Sequence, residues 1–111
     1  MSKSDLAKLY IEDVLNRLSK KHYVKTKESC FCYKEFRFCE RRWKFDFAIP
    51  SRKIAIEFEG GIFLPKGGHT TGKGYTNNCD KYNRAVIEGY KLLRYTILNY
   101  HNIKEDLEKL L

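Results

Sequence analysis

Arg41-Arg42-Trp43-Lys44-Phe45-Asp46-Phe47-Ala48-Ile49-Pro50-Ser51-Arg52-Lys53-Ile54-Ala55-Ile56-Glu57-Phe58-Glu59-Gly60-Gly61 is the stretch on which the reading of this chain turns. Two alternating runs of β-forming residues flank Pro50–Lys53, a connection of hairpin length. Centring the hairpin between Ser51 and Arg52 sets Phe47 opposite Ile56 and Phe45 opposite Phe58, which predicts one continuous apolar face. The other face then pairs Ala48 with Ala55, Asp46 with Glu57 and Lys44 with Glu59. Directly opposed side chains lie about 5 Å apart, and like charges there repel. Asp46, Glu57 and Glu59 are therefore expected to converge, in a chain whose net charge is +8. A hard divalent cation, Mg²⁺ or Mn²⁺, would offset that repulsion through oxygen ligands. The competing reading is a solvated polar face with a Lys44–Glu59 cross-strand ion pair.

Outward from the hairpin, Phe31–Phe38 reads as a preceding strand, and the hairpin strands themselves as Arg42–Ile49 and Lys53–Glu59. Ser4–Leu18 carries apolar residues at helical spacing (Leu6, Leu9, Tyr10, Val14, Leu15, Leu18), with Ser4 as N-cap. Gly60–Gly74 holds six glycines and Pro65 and reads as an exposed loop. Thr76–Glu88 is a second helix ended by Gly89, Lys91–Leu98 a fourth strand, and Asn102 with Glu105 a capping-box start for a last helix. The expected fold is α/β: one domain over residues 1–111, a mixed central sheet flanked by helices in the order α-β-β-β-α-β-α.

Composition bounds the function. The chain has 111 residues, 42% of them hydrophobic, enough for a core. No apolar run approaches the ~20 residues that span a bilayer, and Met1–Tyr10 lacks a signal-peptide core. A soluble, intracellular protein without a membrane partner is expected. With 22 Lys and Arg against 14 Asp and Glu, nucleic acid is the first partner to consider. Cys30, Cys32, Cys39 and Cys79 do not have the usual zinc-knuckle spacing, so structural zinc is not expected.

The hairpin residues resemble the PD-(D/E)XK nuclease superfamily, whose signature is an acid on one strand and Glu-x-Lys on the next. Within it the chain is similar to small phage and bacterial endonucleases resembling very-short-patch repair nucleases. The likeness rests on Arg41-Arg42-Trp43-Lys44-Phe45-Asp46-Phe47, on Glu57-Phe58-Glu59-Gly60-Gly61 and on Gly68-His69-Thr70-Thr71-Gly72, and it covers about Leu6 to Thr96. It implies a restriction-endonuclease-like αβββαβ core with an extra C-terminal helix. The implied activity is Mg²⁺-dependent hydrolysis of DNA, with Mn²⁺ able to substitute, in repair, recombination or phage DNA processing. The implied compartment is the cytoplasm of a bacterial or phage-infected cell. Asp46 and Glu57 would be metal ligands with the carbonyl of Phe58, and Glu12 of the first helix a further donor. His69 would serve as acid, base or phosphate contact. Arg41, Arg42, Lys66, Lys73, Lys81 and Arg84 are candidate DNA contacts.

One departure stands out: Glu59 occupies the position of the Glu-x-Lys lysine. Lys44 could present an ammonium there, Lys81 could reach in from the following helix, or Glu59 could hold a second metal. A catalytically silent nucleic-acid-binding module is the alternative. Asp80, Asn83 and Arg84 share one helical face, and the resemblance implies that polar residues of this helix turn toward the site, with Asp80 as a supporting candidate. Tyr82 and Tyr90 are expected in the core. A homodimer is expected if both DNA strands are cut.

Overall fold

The computed structural model describes residues 1–60 and 72–111. The elements run α1 (Lys3–Thr26), β1 (Tyr33–Arg37), β2 (Lys44–Ile49), β3 (Ile54–Phe58), α2 (Gly72–Ile87), β4 (Lys91–Tyr95) and α3 (Ile103–Leu110). Short 3₁₀ turns lie at Pro50–Arg52 and Tyr100–Asn102. One mixed sheet has the order β1-β2-β3-β4. β1, β2 and β3 form an antiparallel meander, and β4 joins β3 in parallel. The α/β class, the mixed sheet and the element order follow the expectation.

The hairpin register is the expected one at Phe47–Ile56, Ala48–Ala55 and Ile49–Ile54. Its turn closes through Lys53 in the left-handed region (φ 54°), with Lys53 N–H donating to the Pro50 carbonyl at 3.1 Å. β3 lies between β2 and β4, and all five of its residues are buried. Its Ile54, Ile56 and Phe58 join Ile11, Val14 and Leu15 of α1 and Ile103 and Leu107 of α3 in the larger core. The opposite face carries a smaller core of Phe45, Ala48, Ala55, Ala85 and Tyr90.

Four expectations are corrected. First, Phe45 does not share a face with Phe47; it packs on the α2 side, stacked on Phe38 with ring centroids 4.0 Å apart. The cause is a coordinated switch of β1 and β2. Glu35 adopts φ +50°, and the ladder runs from Lys34–Phe47 to Phe36–Phe45 with no pairing at Asp46 and no inserted residue. Both strands exchange faces at that point, and the alternation assumed for an ideal strand is lost.

Second, α1 begins two residues earlier, capped by Ser2 in a capping box with Asp5, and it runs on to Thr26. Its buried stripe is Ala7, Ile11, Val14 and Leu15, while Leu6 and Leu9 are exposed. Third, Asn102 makes no side-chain cap bond, since the preceding 3₁₀ turn already leads into α3. Fourth, the face of α2 turned to the sheet carries Lys81 and Ala85, and Asp80 and Asn83 are exposed. The end of α2 is as expected. Gly89 (φ +89°) donates to the Val86 carbonyl and Tyr90 N–H to that of Ala85, both at 2.9 Å, the two bonds of a Schellman motif.

Candidate active site

Beyond Phe47–Ile56 the β2–β3 ladder gives way to side-chain bonds. Asp46 N–H donates to Glu57 Oε2 at 3.2 Å, and Phe58 N–H donates to Asp46 Oδ2 at 2.7 Å. Two carboxylates thus take the place of backbone carbonyls, and they are brought together where the strands part. Glu57 is 5% exposed, and its other oxygen meets the ammonium of Lys81 from α2. Burial, and next the charge of Asp46, push the Glu57 carboxyl up to about 7, against the lowering pull of Lys81.

Glu59, one residue past β3, does not join the pair. Its Oε1 accepts from Tyr82 Oη at 3.0 Å and from Arg94 Nε at 2.8 Å, and a second guanidinium nitrogen of Arg94 also contacts it. The Arg94 guanidinium lies 4.2 Å over the Tyr82 ring. Burial, then the charges of Glu57 and Glu59, raise the Tyr82 phenol, so the tyrosine stays a neutral donor. The β3–β4 register places Arg94 beside Glu57.

The remaining candidates fall in several places. Lys44 is exposed and paired in the ladder with Arg37, and its ammonium makes no ion pair with Glu59. Glu12 pairs with Lys34 at 3.4 Å and lines a cleft of about 420 Å³ together with Asp46, Glu35 and Leu9, on the α1 side of the sheet. Arg41 stacks on Trp43 at 4.2 Å, and Trp43 Nε1 reaches Asn77 of α2 at 3.4 Å. Arg42 and Lys73 are exposed, whereas Arg84 is held between Glu40 (2.7 Å) and Glu88 (2.8 Å). Lys66 and His69 lie outside the described residues.

Two members of the cluster escape a reading of the sequence. Tyr82 is expected in the core, and Arg94 is one of 22 basic residues with no motif around it. Only the parallel register of a strand distant in sequence brings Arg94 to Glu59.

In comparisons with known proteins, no protein-family model, no curated protein and no solved structure matches the chain. Among the described residues no helix is long and apolar enough to cross a membrane. Among the same residues no group of three or more His, Cys, Asp or Glu is arranged to hold a metal ion. Asp46 and Glu57 nevertheless suit a hard divalent cation in donor chemistry: two adjacent carboxylates, one driven toward protonation by its burial and then by the charge of the other. Further donors would have to be backbone oxygen, such as the Phe58 carbonyl, or water.

Proposed function

We propose that the chain is a Mg²⁺-dependent DNA endonuclease built on a restriction-endonuclease-like core and belonging to the PD-(D/E)XK superfamily. The observation that carries this reading is the meeting of Asp46, Glu57 and Lys81 at the point where β2 and β3 part. Two acids and one lysine are the chemistry of the superfamily's signature, with the lysine supplied by α2 instead of by the position of Glu59.

Asp46 and Glu57 would hold the cation, and their mutual repulsion and the burial of Glu57 are what its charge would relieve. When bound, Mg²⁺ supplies Lewis-acid stabilisation of phosphate charge and a lowered pKa for water. The Phe58 N–H bond pins the Asp46 carboxylate, so the pair is oriented before any ligand arrives. The Lys81 ammonium has a side chain only 12% exposed. It is placed to donate a hydrogen bond to charge developing beside Glu57. Arg41, Arg42 and Lys73 would contribute phosphate contacts to a surface of net charge +8.

Cleavage of a panel of linear, nicked, mismatched and branched DNAs with Mg²⁺ or Mn²⁺, comparing wild type with Asp46→Asn, tests the reading. Wild-type cleavage that chelation and Asp46→Asn both abolish is expected. Cleavage that survives either treatment would rule out the mechanism. DNA binding with no cleavage under any metal would establish the silent binding module instead.

A further inference from the structure

We infer that Arg94 is a phosphate clamp for the nucleic-acid backbone, and that Glu59 is its positioning residue and not a ligand for a second metal. This rests on the nuclease reading above and assigns roles that the reading leaves empty.

Three observations support it. Glu59 engages the Nε edge of the Arg94 guanidinium through a single carboxylate oxygen, at 2.8 Å from Nε. A guanidinium has five N–H donors in one plane, so the opposite edge retains donors in a fork matched to phosphate oxygens. Stacking on Tyr82 at 4.2 Å holds that plane, and the Tyr82 hydroxyl, bonded to the same Glu59 oxygen, ties the assembly together. Arg94 remains 48% exposed at the side chain, whereas Glu59 is 22% exposed, so the cation faces outward and the acid stands behind it.

Position completes the argument. Arg94 is the ladder partner of Glu57, and its guanidinium is held on Glu59, two residues further along the same chain segment. A phosphate on the outer edge of Arg94 would lie close to the group acted on at Asp46 and Glu57. An unpaired arginine beside two acids would fold onto them; Glu59 satisfies it in place and keeps it available. A lysine at position 59 would repel Arg94, which accounts for the acid at that position.

Fluorescence-anisotropy titration of duplex DNA in EDTA, across a range of salt, measures the clamp without cleavage; Mg²⁺-dependent kinetics measure its coupling to the site. Arg94→Ala is expected to weaken binding about fivefold or more for all sequences and to lower the log–log salt slope by about one. Arg94→Lys should restore the slope but not the full affinity, because a point charge lacks the fork. Glu59→Gln should raise KM for DNA several-fold with kcat and the Mg²⁺ concentration for half-maximal rate within about twofold. Circular dichroism confirms that each variant is folded. A folded Arg94→Ala with unchanged affinity and slope overturns the clamp alone. A tenfold or larger shift in Mg²⁺ requirement for Glu59→Gln makes Glu59 a metal-site residue and overturns its positioning role. Wild type that binds no DNA overturns the nuclease reading and the clamp with it.

Discussion

Glu57 is a buried acid whose carboxyl is raised from 4.5 to about 7 by burial and by Asp46. A raised acid binds its proton more tightly in the folded chain than in the unfolded one. Its stabilising contribution is therefore complete below about pH 4.5 and is lost as pH rises through about 7. The loss is on the order of 3 kcal/mol. Urea unfolding without metal should accordingly show lower stability at about pH 8 than the rest of the chain would give, with the decline centred between those two values. Asp46→Asn removes the repelling charge while its side-chain oxygen can still accept from Phe58. It should flatten this decline, stabilise the fold above pH 7 by about 1 kcal/mol and, on the proposed nuclease function, abolish cleavage. Lys81→Met does the reverse. It strips the counter-charge from a buried carboxylate and should cost about 3 kcal/mol above pH 7, with little loss at about pH 5, where Glu57 is protonated. Equal loss at both pH values would show that Lys81 acts by packing, not by charge.

At the scale of elements, the β1–β2 face switch falls at Asp46, one member of the carboxylate pair. It needs a residue at φ +50° in mid-strand, and Glu35 occupies that position although non-glycine residues rarely do. Glu35→Gly should be at least as stable as wild type, whereas Glu35→Val should cost about 2 kcal/mol by thermal melting. An ordinary strand position gives the opposite order. Gly89 ends α2 at φ +89° with open space around its Cα, so Gly89→Ala should cost about 1 kcal/mol from backbone conformation alone. These two positions also mark what the sequence makes legible. Gly89 follows a helical periodicity and announces its own role; nothing in Tyr33–Arg37 announces that Glu35 breaks the strand. The register of the hairpin was readable because its turn is short and its apolar residues alternate. The face of Phe45 was not, because a neighbouring strand decides it.

Over the whole molecule, β3 joins the cores on both sides of the sheet. Ile56 is fully buried in the larger core between α1 and α3, and Ile56→Ala should cost about 3–4 kcal/mol in urea unfolding. A loss below about 1 kcal/mol would mean that β3 is not the centre of the fold. The exposed Arg41, Arg42 and Lys73 stand apart from Asp46 and Glu57, which are gathered where the strands part. The sequence by itself determined the α/β class, the order of elements, the hairpin register and the nearness of Asp46 to Glu57. Each of these follows from periodicity, turn chemistry and pairing over short chain distances. Only the tertiary structure decided that Lys81 meets Glu57, that Glu59 turns to Arg94 and Tyr82, and that Lys44 stays outside. Those contacts join elements far apart in the chain. Their geometry depends on how α2 is rotated over the sheet and how β4 aligns with β3, and packing sets both.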